Sequence, residues 1–443
     1  MPHALTIFLR YLPVTLVAAS VPAIGLIDAA VISTLGEPAL IGGIAAAATI
    51  VSFLFFTLNF LRTSTTALSA QAAGAGDDTE TLAIILRAAM VAAVLGIAAI
   101  LLQVPITEGG VAALAIDGAV AEAARTYFGV RVWSVPAMLF NLTIIGWLLG
   151  QGKIVRAMTL QALTSLLSIA LCVVFVTQLG MGVRGAALAS VTAETTTAAI
   201  GLVVLGRALW GKRLDELRRR VFVPEKFTRL LAVNGNLFLR AMALFVVMSA
   251  FTRQSATLGT EILAINAVLI NLFFVSASLM DGTATAAQHL TGRAVGARSA
   301  TDFAETVRTT FLVGTVLACI IAVVLLVAQA TIISMLVWIE PLRVGAAQYY
   351  LWPVIAQLVG SAAFISDGIF IGATWTRDAR NLMILAALVF FAAVIALMPV
   401  MGNHGLWLAM VIYLGTRGVF YGWRMRSLFR QTFPAPAPAP ALA

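Results

Sequence analysis

Asp28 is the single polar residue between Ser20 and Ser33. A carboxylate in so apolar a setting must hold a fixed partner, a cation or a proton to remain there. That is the chemistry of ion coupling. In the second half, Asp281 and Asp367 are each followed by glycine, and Arg240 stands in the apolar stretch that opens that half. These three read as a charge network in which Arg240 neutralises one carboxylate. Arg62 and Glu194 read as a corresponding structural pair in the first half. Asn141, Gln161, Asn236, Asn266 and Asn271 carry amides that either line a polar cavity or bridge helices. Other chemistries find no support. His3, His289 and His404 are scattered, and no phosphate-binding glycine loop, metal-ligand cluster or nucleophile arrangement is found. Cys172 and Cys319 lie inside apolar runs with no pairing spacing, which makes them buried thiols. The chain is therefore not expected to be an enzyme, nor to hold a metal or cofactor.

The elements that position these groups follow from composition. Of 443 residues, 61% are hydrophobic and 11% charged, with mean hydropathy +1.01. Soluble domains carry roughly 25% charged residues. Apolar runs long enough to cross a bilayer, about 20 residues each, fall at 11–35, 39–70, 82–103, 125–150, 158–179, 186–206, 230–253, 262–290, 309–337, 346–372, 381–400 and 406–423. Runs so long and continuous must be helices, because lipid offers exposed backbone no hydrogen-bond partner. The fold expected is an all-α polytopic membrane protein of twelve transmembrane helices. Asp28 then lies seven residues before Leu35, roughly 10 Å below the outer end of its helix at 1.5 Å per residue. Pro13 and Pro22 give that helix places to bend.

The formal net charge of +9 reads as topology, not as nucleic-acid binding. The loop 207–229 carries Arg207, Lys212, Arg213, Arg218, Arg219, Arg220, Lys226 and Arg229, whereas the loop before Arg125 holds Glu108, Asp117 and Glu122 without one base. The bias toward basic cytoplasmic loops puts both termini in the cytoplasm. Self-comparison brings Tyr127, Gly146 and Gly150 onto Tyr349, Gly368 and Gly372, all at one displacement of half the chain, and Gly74 and Gly180 onto Gly296 and Gly402 at the same displacement. With small gaps, Thr34-Leu-Gly36 meets Thr257-Leu-Gly259, and Gly185 meets Gly405. Two six-helix lobes follow, related by a pseudo-two-fold axis along the membrane normal. The expected domains are an N-lobe over 1–206, a cytoplasmic basic linker over 207–229, a C-lobe over 230–430, and a disordered Pro/Ala tail over 431–443.

Several segments resemble the multidrug and toxic compound extrusion (MATE) family, specifically its DinF-like branch. The similar stretches are Ile27-Asp-Ala-Ala-Val-Ile-Ser-Thr-Leu-Gly36, Phe60 to Ala75, Asn266-Ala-Val-Leu, Asp281-Gly, Gly292-Arg-Ala-Val-Gly-Ala-Arg298, Asp367-Gly-Ile-Phe-Ile-Gly-Ala-Thr374 and Gly402-Asn-His-Gly-Leu-Trp-Leu-Ala409. The resemblance covers nearly the whole chain except the proline tail. It implies a monomeric antiporter of the bacterial inner membrane, which exports small organic cations or amphipathic compounds against protons or sodium, with the proton the expected ion. Asp28 matches the first-helix aspartate that the branch uses for coupling. Related transporters often carry an asparagine and, four residues on, an aspartate in the fifth helix; Ser168 and Cys172 stand at those positions here, in the expected cavity. A flippase of lipid-linked or amphipathic lipid substrates is the alternative, and it would require many bases inside a cleft open to lipid.

Overall fold

The computed structural model describes residues 5–17, 31, 33, 36–336 and 339–434. Among them there is no strand, and ten helices are long and apolar enough to cross a membrane. The first described helix is α1 (Leu5–Val17). It is followed by α2 (Pro38–Leu58), α3 (Phe60–Gly74), α4 (Asp78–Leu101), α5 (Gln103–Ala113), α6 (Gly118–Arg131), α7 (Val135–Gly150), α8 (Ile154–Val173), α9 (Gly182–Leu209) and α10 (Leu214–Val221). The second half holds α11 (Pro224–Thr257), α12 (Thr260–Ser278), α13 (Asp281–Gly296), α14 (Ala300–Val327), α15 (Gln329–Leu336), α16 (Glu340–Tyr349), α17 (Leu351–Gly372), α18 (Thr376–Met401) and α19 (Asn403–Thr432).

Most helices begin a few residues before the apolar run they contain, because the capping residues are polar and hydropathy does not register them. Asp77 caps α4 by accepting from the Glu80 N–H at 3.0 Å. Ser299 caps α14 by accepting from the Asp302 N–H at 3.2 Å. Such caps satisfy backbone donors that a helix start leaves bare. Three expected spans differ more, among them 309–337, where one helix ends at Val327 and another begins at Gln329. The run 262–290 is broken at Leu279 and Met280, and Asp281 opens a new helix, where its charge complements the helix dipole. The last helix continues to Thr432, well beyond the expected end at 423, since Arg424, Arg426 and Arg430 end an apolar run without ending a helix.

Contacts divide the chain into two compact units. One comprises 13–73 and 77–238. Its core packs α2 on α6, α4 on α7 and α8 on α9 around Ile44, Leu61, Phe128, Leu139 and Val176. The segment 207–229, expected as a linker, folds into this unit. Leu217 and Val221, four apart on α10, are buried against α4, while Arg220 bonds Asp77 at 2.5 Å and Lys226 bonds Glu80 at 2.5 Å.

The other unit comprises 239–443 with 1–12 and 74–76, and its core is aromatic. Trp407, Tyr413, Phe390 and Phe251 are almost fully buried, with the Phe251 and Trp407 rings edge to face at 5.0 Å. Tyr11 of α1 belongs here, its hydroxyl 2.5 Å from His289 Nδ1.

The internal repeat is visible within each unit. A Cβ on Gly146 would collide with the Arg62 carbonyl, and one on its repeat partner Gly368 with the Ala284 carbonyl. Gly150 meets the Thr66 carbonyl and Ser69 where Gly372 meets the Gln288 carbonyl and Thr291. Gly185 abuts the Phe175 carbonyl as Gly405 abuts that of Leu397. With no hydrophobic drive between helices in lipid, close backbone approach of this kind supplies the packing energy. Gly180 and Gly402 also share a left-handed backbone, φ +63° and +55°, a conformation that costs an L side chain roughly 1–2 kcal/mol.

Candidate functional site

Three charged side chains from three helices of the 239–443 unit meet at Asp367. The carboxylate projects from α17 one residue before the close-packed Gly368, so its backbone position is set by the approach of α17 to α13. Arg240 of α11 pairs with Oδ2, Arg417 Nη2 of α19 donates to the same oxygen at 2.5 Å, and the Tyr421 hydroxyl donates to Oδ1 at 2.7 Å. Arg417 also lies 5.4 Å from the centre of the Tyr413 ring. Two guanidinium groups thus serve one carboxylate. Asp281, grouped with these residues on sequence grounds, is exposed at the first position of α13. Arg417 was not singled out from the sequence, although an arginine inside the expected span 406–423 was the available signal.

The 13–238 unit holds a second deep pair with a different partner from the one expected. Glu194 of α9 bonds Arg131, at the end of α6, through both carboxylate oxygens, at 2.7 and 2.6 Å. Their side chains are only 13% and 10% exposed. Arg131 also donates to Ser134, and Asn141 donates to the Glu194 carbonyl at 2.9 Å. Arg62 instead donates to Asn59 one turn earlier at 3.1 Å. Depth decides this: a fork of two parallel bonds from Arg131 is available across the α6–α9 contact, whereas Arg62 finds a local acceptor.

The polar cavity candidates separate by environment. Asn266 is buried and fully engaged: its amide donates to Ser255 at 2.8 Å and to Asn403 at 2.7 Å. Its carbonyl accepts from Asn403 at 3.0 Å and from the Trp407 indole at 2.9 Å. It bridges α11, α12 and α19. Asn141 is buried with its Oδ1 lacking a hydrogen-bond partner. Ser168 is half-buried with its hydroxyl 3.3 Å from that of Ser190, and Gln161 is half-buried on α8. Cys172 is buried among Val176, Val183 and Ala186. Just beyond it the chain widens into a π-type turn over Val174–Gln178. Asp28 and Pro22 lie outside the described residues. No group of three or more His, Cys, Asp or Glu that could hold a metal ion occurs among the described residues.

Comparison with known proteins agrees with the repeat and the helical architecture. The MatE family pattern matches twice, over residues 13–174 and again over 237–397. DNA damage-inducible protein F of Escherichia coli strain K12 is 37% identical over 408 residues, covering 92% of this chain and 89% of that one. Protein DETOXIFICATION 44, a chloroplastic protein of Arabidopsis thaliana, is 23% identical over 432 residues, covering 94% and 80%. Among solved structures, an outward-facing multidrug resistance MATE family transporter of the MOP superfamily has the same fold with TM-score 0.87 at 17% identity, covering 97% of this chain and 96% of that one. A MOP superfamily transporter from Pyrococcus furiosus gives 0.85 at 19% identity, covering 96% of each chain. Two matched halves, ten described spans and a relative aligned over nine-tenths of the sequence converge: the chain belongs to the MatE family, and is a multi-pass membrane transporter, not an enzyme.

Proposed function

We propose that this transporter is a secondary exporter in the bacterial inner membrane, moving cationic or amphipathic organic compounds outward against inward proton flow, with Asp28 as the coupling carboxylate and both termini in the cytoplasm. The observation that carries the assignment is the fate of the other deep acids. Glu194 is clamped by Arg131, and Asp367 by Arg240 and Arg417. A carboxylate whose oxygens are taken up by a fixed guanidinium already holds its neutralising charge and is a poor carrier for a cycling ion. Asp281, inside the expected span 262–290, sits exposed at a helix start, which leaves Asp28 as the acid expected deep within a span. The name of a structural neighbour, a multidrug resistance transporter, supports the substrate class.

In the proposed cycle, ionised Asp28 favours the substrate-loaded state, and a proton arriving from outside neutralises it and favours release. Coupling is reciprocal in binding free energy, so bound substrate must weaken proton binding by the same factor. A proton entering down the field gains about 2.3 kcal/mol per 100 mV. The test is substrate-induced proton release from purified protein, with efflux of ethidium and tetraphenylphosphonium in proteoliposomes under separate proton and sodium gradients. Asp28→Asn should abolish proton release and leave substrate binding measurable. Undiminished release from that variant removes Asp28 from the mechanism; efflux driven by sodium alone reassigns the ion.

A further inference from the structure

Among the described residues, the cluster around Asp367 does not balance its charge. Arg240 and Arg417 bring two positive charges to one carboxylate, and the remaining partners, Tyr421 and Tyr413, are phenols. One guanidinium is therefore in excess at a depth where an unneutralised charge is costly. The two arginines are not equivalent. Arg417 is enclosed, 3% exposed and stacked on Tyr413, and it stays with Asp367. Arg240 is 17% exposed, and its Nε, like that of Arg417, is buried without a hydrogen-bond partner. It pairs with Asp367 through Nη2 and also hydrogen-bonds Tyr421, and the remaining donors of its planar fork suit a second oxyanion.

We propose that Arg240, backed by the Asp367–Arg417 pair, is the binding group of an anion site in the 239–443 unit. The ligand is a singly charged anion, either the carboxylate of an amphipathic compound or an inorganic ion of the same charge. Asp367 fixes Arg240 in place and limits the excess to one unit of charge, so a monovalent ligand restores neutrality whereas a divalent one overshoots it. The assignment of Arg240 draws nothing from the role proposed for Asp28, and each proposal can fail without the other.

Isothermal titration of the purified full-length protein with 2-naphthoate, in chloride-free buffer and neutral detergent, tests this. One saturable site per chain is expected. Arg240→Gln leaves a neutral Asp367–Arg417 pair, so it should melt near wild type yet bind naphthoate at least about tenfold more weakly, the loss that follows removal of a hydrogen bond to a charged group. Competition by chloride at equal concentration assigns the site to small inorganic anions; absence of competition assigns it to organic carboxylates. Should the glutamine variant not fold, Arg240→Lys carries the test: loss of the fork should weaken naphthoate at least severalfold. Wild-type affinity in either substituted protein, or no saturable binding of either anion to folded wild type, overturns the proposal.

Discussion

Glu194→Gln isolates the Arg131–Glu194 clamp. The substitution keeps size and shape, retains one hydrogen-bond acceptor, and strands the Arg131 guanidinium at a site where its side chain is 10% exposed. The pair is held by two bonds of 2.7 and 2.6 Å. Removing one partner of such a buried pair costs about 3–5 kcal/mol, because the orphaned charge keeps its desolvation penalty. At roughly 2–4 °C per kcal/mol for a domain of this size, the melting temperature should fall by roughly 6–20 °C. Replacing both residues, Arg131→Met with Glu194→Leu, removes the charge along with its partner and should recover most of the loss. Cys172 is a built-in reporter, buried where α8 packs against α9, the helix that carries Glu194. Cys319, expected from the sequence to be buried, is exposed; with it changed to serine, a thiol-reactive dye reads the opening of that packing. A glutamine variant melting within about 2 °C of wild type would refute the clamp as a source of stability. Below its melting point the same variant should retain substrate-induced proton release, which separates Glu194 from Asp28.

Gly146→Ala and Gly368→Ala should each destabilise by about 1–3 kcal/mol through overpacking, because each new methyl strikes a carbonyl of the neighbouring helix. Gly206→Ala, which opens onto free space, should be neutral or stabilising in the same thermal assay. Asn266→Ala should cost about 2–5 kcal/mol, since Asn403, Trp407 and Ser255 are left buried with bonds unmade, and melting of an Asn266→Ala protein within error of wild type would contradict this. Burial alone would raise the Asp77 carboxyl, but the Glu80 N–H and Arg220 outweigh burial and hold it below its ordinary 3.8. A depressed folded value contributes stability above the ordinary value, which is lost as pH falls through the folded one. Docking of α10 on α4 should therefore persist from neutral pH down to about pH 4 and fail below it, read as new pepsin cleavage within 213–223. Asp77→Asn should expose the same segment to trypsin at neutral pH, with cleavage after Arg218, Arg219 or Arg220.

Most of the architecture is legible in the sequence because lipid imposes it. An apolar run of about 20 residues has few alternatives to a spanning helix, and the half-chain repeat predicts contacts as well as counts. Gly146, Gly150 and Gly185 carry glycine at their repeat partners because a Cβ has no room in either copy. Partner choice among charges is the part that stays hidden. The sequence shows Glu194 with Arg62 and Arg131 as bases in the same half, and nothing in spacing selects Arg131; the α6–α9 contact does. Likewise Asp281 and Asp367 share an Asp-Gly signature, yet one is exposed at a helix start while the other is clamped. Asn266 illustrates the same limit: an amide in an apolar run reads equally as cavity lining or bridge, and only Asn403 and Trp407, far along the chain on α19, decide for the bridge.

The two units keep the same backbone contacts while their charges have diverged, and the difference has a physical cause. A glycine facing a neighbouring carbonyl admits no side chain, so Gly146 and Gly368 are constrained by contact geometry in both copies. The caps are freer: Asp77 and Ser299 occupy equivalent starts with different side chains, because either oxygen satisfies the same amide. Buried ion pairs are freer still, since each needs only local neutralisation by whatever base the packing brings near. The position equivalent to Asp367 is Ile145, and the 13–238 unit closes its deep charge with Arg131 and Glu194 in balance. Among the described residues, the 239–443 unit closes its own with two guanidinium groups on one carboxylate. Duplication thus fixed a frame of close helix approaches, and the chemistry that differs between the units sits at positions the frame leaves unconstrained. A transporter built this way can divide its work, with proton coupling proposed for Asp28 in one half and ligand charge proposed for Arg240 in the other, because the glycine contacts of the shared frame do not involve Arg240.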